Sequence, residues 1–162
     1  TRVVTTTFTR PADTLAYAAG DVISTAASGN PPAIPFSASA RLAGGSGLIL
    51  SASISLSANP TTKPTLELWL FCSAPASVAD NVPFTIVDAD IKNRVAVITF
   101  PTIYVGDPTA GTGNLVFDSG PTINKGFQCT GNSTLYGMLV VRNAYTPTSA
   151  EEYNIQLVIS QD

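Results

Sequence analysis

Between Leu48 and Ser57 the residues Leu48, Leu50, Ala52, Ile54 and Leu56 alternate with Ile49, Ser51, Ser53, Ser55 and Ser57. Successive side chains of a strand point to opposite faces, so this period of two predicts a β-strand with the first set turned to a core. Its serine face either meets solvent, the default for an antiparallel sheet, or packs against a neighbouring subunit. No stretch elsewhere carries a capped helical period. The alternation instead returns between turn signals about every ten to fifteen residues, which is the pattern of an all-β sandwich or barrel.

Arg2 to Thr9 is Thr-rich and β-branched, stops at Arg10-Pro11, and reads as a terminal strand or arm. A turn at Gly20-Asp21 leads into a short strand from Val22, and Ser28 to Pro32 (SGNPP) is barred from any central strand because proline has no backbone donor. Ile34 to Arg41, Arg94 to Phe100, Thr102 to Val105, Leu115 to Phe117 and Glu152 to Ser160 are further strand candidates, with a turn-rich loop from Gly106 to Asn114. Leu66 to Cys72 and Leu135 to Arg142 are apolar on both faces and belong in sheet centres. The expectation is a single domain over residues 1–162: an all-β, jelly-roll-like β-sandwich of about eight or nine antiparallel strands.

After Cys72 the chain runs through a polar loop to Asp88 and Asp90, passing Asp80 and Asn81. These residues read first as local turn formers, with a calcium site built from Asp80, Asn81, Asp88 and Asp90 as the alternative, since hard cations take clustered loop oxygens. Their spacing is not that of an EF-hand. Glu67, on an apolar strand, either points outward or is buried against a cation, for which Arg142 and Arg94 are the candidates.

The 162 residues include no histidine, which removes the commonest general base and the usual partner of a nucleophilic serine or cysteine. All three lysines, Lys63, Lys92 and Lys125, lie in loop-like contexts, so a Ser-Lys pair is not expected either. A carboxylate pair of Glu67 with Asp88 or Asp90 is the one hydrolytic arrangement left, and a single tryptophan makes a thin platform for a sugar. The chain is therefore expected not to be an enzyme and to need no cofactor. Zinc is not expected without histidine or a CxxC, and Cys72 and Cys129 read as reduced, partly buried thiols.

Charged residues are only 12% of the chain and the net charge is −3, which supplies no field for nucleic acid. No apolar run reaches the roughly 20 residues that cross a bilayer as a helix, so no membrane partner is expected. The stretch TRVVTTTF lacks the segments of a signal peptide, and the expectation is cytoplasmic synthesis with an initiator Met removed. Arg10-Pro11-Ala12-Asp13 and Asn143 to Pro147 are either docking loops or ordinary strand connections.

Several phrases taken together, FTRPADTLAYAAGDVIS (Phe8 to Ser24), ARLAGGSGLI (Ala40 to Ile49), KPTLELWLF (Lys63 to Phe71), ADNVPFTIVDAD (Ala79 to Asp90) and VVRNAYTPTSAEEYNIQL (Val140 to Leu157), resemble the jelly-roll cement or decoration proteins of tailed-phage heads. The resemblance implies a virion protein on the capsid exterior, made in the host cytoplasm. It would bind the major capsid protein and itself, as a homotrimer or a dimer, and hold capsomers against internal DNA pressure. Terminal arms and edge loops carry such contacts. The resemblance thus nominates Arg2, Val4, Phe8 and Arg10 on the first segment, and Pro32 and Pro35 in the loop from Asn30 to Pro35. A carbohydrate- or receptor-binding module of a tail fibre or baseplate is the alternative, and it would need an aromatic-lined groove involving Trp69 or the tyrosines.

Overall fold

The computed structural model describes residues 1–106, 114–120 and 123–162, so most of the expected loop from Gly106 to Asn114 lies outside the described residues. Eleven strands and one short helix are described: β1 (Arg2–Thr9), β2 (Val22–Ile23), β3 (Ile34–Phe36), β4 (Ser46–Leu56), β5 (Leu66–Phe71), α1 (Asp88–Ile91), β6 (Arg94–Thr99), β7 (Thr102–Val105), β8 (Leu115–Asp118), β9 (Lys125–Gln128), β10 (Leu135–Val141) and β11 (Glu152–Gln161). All pairings are antiparallel. One sheet runs β1-β11-β4-β8-β7, with β9 also on β4; the other runs β2-β10-β5-β6, with β3 also on β10. The fold is thus an all-β sandwich. The expected eight or nine strands become eleven chiefly because β9, KGFQ, was not anticipated: it carries one large apolar side chain, Phe127, and a glycine, too little for a periodic signal.

The core lies between the sheets. One row of the larger sheet reads Thr6, Ile155, Ile54, Phe117 and Ile103 across five strands, its three central members fully buried, Thr6 half-buried and Ile103 exposed at the β7 edge. Leu66, Leu68 and Leu70 of β5, with Leu135, Leu139 and Val141 of β10, face it from the other sheet. Burial at this level is what stabilises the sandwich, at about 25 cal/mol for each Å² of apolar surface removed from water.

The alternation in β4 slips by one residue. Ala52, Ile54 and Leu56 are buried as expected, but further up the strand Ile49 is buried and Leu48 and Leu50 are only half-buried. The cause is a bulge: Val158 of β11 pairs with Ser51 while the next residue, Ile159, pairs with Ile49, so Leu50 is an extra residue that reverses the phase of everything before it.

Gly137, at the middle of β10, faces inward where Phe36 and Leu68 have taken the space of a side chain. A Cβ there would lie 2.8 Å from Cε2 of Phe36 and 3.1 Å from Cδ1 of Leu68. Phe36 and Leu68 are fully buried and cannot swing out. Gly137→Ala is expected to destabilise the fold by about 1–3 kcal/mol through overpacking, read as a lower urea midpoint with unchanged slope.

The smaller sheet is covered on its outer face as well. The segment joining β5 to α1 packs Val78, Phe84 and Ile86, together with Trp69, against a second apolar cluster of Val22, Phe71, Met138 and Val140. Phe84 meets the Trp69 ring edge-on at 5.1 Å. Backbone bonds hold this cover in place: Val22 donates to the Val82 carbonyl, Asn81 to that of Val22, Asp80 to that of Ala26, and Phe84 to that of Gly20. Gly20, at φ +101°, takes a conformation that residues with a Cβ rarely adopt, and its amide also reaches the Val141 carbonyl at 2.7 Å. Covering both faces explains why β5 and β10 are apolar on both sides.

Candidate functional site

Two features of the surface and interior are candidates for function. The first is a buried polar cluster at the end of the sandwich where β1 stops and β11 begins. Arg10 follows β1 directly and turns inward, with its side chain fully buried. Its Nε donates to the Tyr17 hydroxyl at 2.9 Å, one terminal nitrogen to the Asp13 carbonyl at 2.6 Å, and the other to Oδ1 of Asp13 at 2.8 Å and Oδ2 of Asp80 at 3.2 Å. Oδ1 of Asp80 accepts from the Tyr17 hydroxyl at 2.7 Å and from the Ser24 amide at 2.9 Å. Burial raises the Asp80 carboxyl, and these three donors pull it back toward the anion. Burial alone would lower the Arg10 guanidinium, but its bonds to Asp13 and Tyr17 and the neighbouring negative charge leave it raised, a permanent cation.

Beside this ion pair lies a second group. The Tyr17 and Tyr145 rings stack at 5.3 Å, and Phe8 stacks on Tyr153 at 5.2 Å. The Tyr145 and Tyr153 hydroxyls are 2.7 Å apart, and Tyr153 donates to Oε2 of Glu151 at 2.6 Å. Glu151 is 1% exposed, and its Oε1 meets no donor in hydrogen-bond geometry. The two segments Arg10 to Asp13 and Asn143 to Pro147, read from sequence as docking loops or connections, each contribute to this end of the sandwich: Tyr145 forms an isolated bridge with Tyr17, and the Arg10 amide donates to the Glu151 carbonyl.

The second feature is the outer face of the larger sheet. Register places Thr5, Gln156, Ser53, Asp118 and Thr102 in one row across five strands and Thr7, Asn154, Ser55, Val116 and Tyr104 in the next. Asn154 donates to the Thr7 hydroxyl at 2.8 Å. Asp118 and Glu152 are the charged residues at outward positions of these strands, among the described residues. At the β7 edge, Ser51, Thr102, Tyr104, Asp118 and Gly120 line a shallow concavity of about 420 Å³.

The sequence-derived candidates fall differently. Arg2 is exposed, as are Pro32 and Pro35, so these three are free to make contacts. Val4 and Arg10 are not: Val4 faces the inter-sheet core and Arg10 is 2% exposed, so the nomination of both as partner contacts is corrected. Phe8 is half-buried against Tyr153. The first segment is no free arm either, because all eight residues of β1 pair with β11. The outward residues of that strand are Val3, Thr5, Thr7 and Thr9, the set opposite to the one nominated.

The calcium candidates are not brought together. Asp80 is committed to Arg10, Tyr17 and Ser24; Asn81, with its amide turned to donate, reaches Oδ2 of Asp21 at 3.0 Å; Asp90 accepts the Ala76 amide at 2.8 Å; and Asp88 opens α1. Among the described residues no three acidic, cysteine or histidine side chains are grouped to hold a metal ion. Glu67 is half-buried and paired with Arg142 at 2.6 Å, while Arg94 sits over the Trp69 ring at 5.8 Å. Trp69 donates to Glu67 at 3.2 Å and meets Phe84 edge-on. Cys72 and Cys129 are free thiols, one half-buried and one buried, and burial with the nearby Cys72 pushes the Cys129 thiol up.

Compared with protein-family models, curated proteins and solved structures, the chain matches none.

Proposed function

We propose that this chain works by surface contact as a decoration protein on the outside of a phage head, binding the major capsid protein through the outer face of its larger sheet. The observation that carries the reading is the two cross-strand rows made mostly of hydroxyl and amide side chains, with Asp118 their one charge. Interface centres are depleted in charged residues, because each charge desolvated there must be matched. Five strands about 4.8 Å apart span about 20 Å. Such a patch falls short of the roughly 800 Å² per partner of a standard interface. A symmetric oligomer, for which a trimer suits local three-fold axes, makes up the difference by avidity.

Ser53→Lys with Gln156→Lys, at outward positions of β4 and β11, is expected to leave the melting temperature close to that of the parent and to abolish binding to expanded heads of the encoding phage. Co-sedimentation reads the binding and analytical ultracentrifugation the oligomer. A parent protein that stays monomeric and does not sediment with heads refutes the proposal.

A second reading, a carbohydrate- or receptor-binding module, draws on one observation: Tyr104 is 59% exposed beside Asp118, Ser51 and Thr102 in the edge concavity. An exposed ring with neighbouring acceptors is what a sugar face requires. Saturable glycan-array binding lost in Tyr104→Ala would favour it, and head binding unaffected by that change would favour the first.

A further inference from the structure

Among the described residues Asp21, Asp80 and Glu151 are the buried acids, and of these Glu151 is the one with a buried oxygen that has no hydrogen-bond partner. Asp80 has a guanidinium and two further donors, whereas the Glu151 carboxyl has phenolic hydroxyls on Oε2 and no donor on Oε1. We propose that Glu151 is held as a neutral carboxylic acid at neutral pH, and that its ionisation on alkalinisation releases the segment from Asn143 to Ala150 from the end of β1.

The charges around it decide the matter. Facing Glu151 and its cluster are Arg10 from the end of β1, Asp13 and Tyr17 from the following connection, Asp80 from the segment covering the smaller sheet, Tyr145 from the β10–β11 connection and Tyr153 from β11. Arg10 is the one cation in this set, and its donors go to Tyr17, Asp13, Asp80 and the Thr148 carbonyl rather than to Glu151. Two carboxylates already balance that cation, so ionised Glu151 would add a buried charge with no cation of its own, held only by the two phenolic hydroxyls and the Thr148 amide. The neutral acid leaves only an unpaired carbonyl-type oxygen, a smaller cost. Its proton lies within the triad formed with Tyr145 and Tyr153, where the oxygens are 2.6 to 3.4 Å apart. Burial raises the carboxyl, and the Tyr153 and Tyr145 hydroxyls, the Arg10 charge and the Thr148 amide offset this only in part.

A group raised in the folded state contributes stability that is complete below its unfolded value and lost as pH rises through its folded value. Glu151 therefore favours folding below about 4.5, its ordinary value, and progressively less above it. The cluster ties the end of β1 to the β10–β11 connection through the Arg10 amide on the Glu151 carbonyl, so this is where the fold opens.

The test compares the parent with Glu151→Gln, which mimics the neutral acid. With isotope-labelled glutamate, the infrared carbonyl band of a protonated carboxyl is expected in the parent at neutral pH and absent from the variant. The folding equilibrium constant of the parent, relative to the variant, falls by up to tenfold per pH unit above about 4.5 until the folded value is passed. Hydrogen exchange over residues 143–150 speeds up with pH in the parent beyond its intrinsic rise and does not in the variant. A parent without the band at neutral pH, or two identical stability profiles, overturns the proposal. If the variant does not fold, the infrared titration of the parent decides alone.

Discussion

Arg10→Met is expected to lower the unfolding free energy by about 3–5 kcal/mol, the cost of breaking a buried ion pair by removing one partner. Methionine keeps most of the stem and its packing, so the loss isolates the guanidinium. What remains is the Asp80 carboxylate, 3% exposed, with the Tyr17 hydroxyl and Ser24 amide but no cation. With total stabilities of about 5–15 kcal/mol for domains of this kind, such a loss shows directly in a urea titration. The deficit is also pH-dependent with a defined sign. Burial already raises the Asp80 carboxyl, and removing the nearby positive charge raises it further, so the variant regains ground as pH falls and Asp80 takes up a proton. Combining the change with Asp80→Asn removes the orphaned charge while keeping an acceptor for Tyr17, and the double variant is expected to recover more than half of the loss. A single variant within about 1 kcal/mol of the parent would mean that the pair does not hold the sandwich end together.

How much of this was legible depended on the distance over which each interaction acts. Period-two alternation lies within one strand, and it placed β1, β5, β10 and β11 to within about a residue at each end. The same rule mis-assigned Leu48, Leu50 and Ile49, because a bulge is set by the partner strand and leaves no mark on the alternation itself. The acidic residues misled in a similar way. Asp80, Asn81, Asp88 and Asp90 are neighbours in sequence and read first as local turn formers, with one calcium site as the alternative, yet Asp80 pairs with a residue 70 positions away while Asp90 holds an amide of its own loop. The sequence near Arg10 offers only a faint hint of the pairing: an arginine closing a β-branched run, with Tyr17 following it. Glu67 was the reverse case: an outward-pointing glutamate and burial against Arg142 or Arg94 were both open, and the half-buried Glu67 pairs with Arg142.

The stretch from Leu66 to Asp90 carries the other large effect. Phe71 is fully buried and belongs to the cluster on the outer face of the smaller sheet, under the segment bearing Val78, Phe84 and Ile86. Cross-strand register sets Phe71 opposite Tyr136 on β10 and Arg94 on β6, and the shift between Leu70 and Phe71 leaves Val95 as the extra residue of β6. Two adjacent residues, Leu70 and Phe71, are both fully buried, one toward each core, because successive side chains of β5 point to opposite faces. Phe71→Ala is expected to cost about 3–5 kcal/mol, the range for emptying a buried aromatic site, by denaturant midpoint. The same variant separates a covered face from an exposed one by a second route. The cover is held by backbone bonds to residues 20–26 and by contact with the aromatic side chains beneath, so losing the ring loosens it without breaking those bonds. Cleavage by a broad-specificity protease between Ser73 and Val87 should then accelerate at denaturant-free stability, while the β4–β11 ladder, on the other sheet, keeps its hydrogen-exchange protection up to the lowered global limit. A change below about 0.5 kcal/mol with no new cleavage is what a solvent-facing phenylalanine would give, and it would mean that the outer face of the smaller sheet carries no second core.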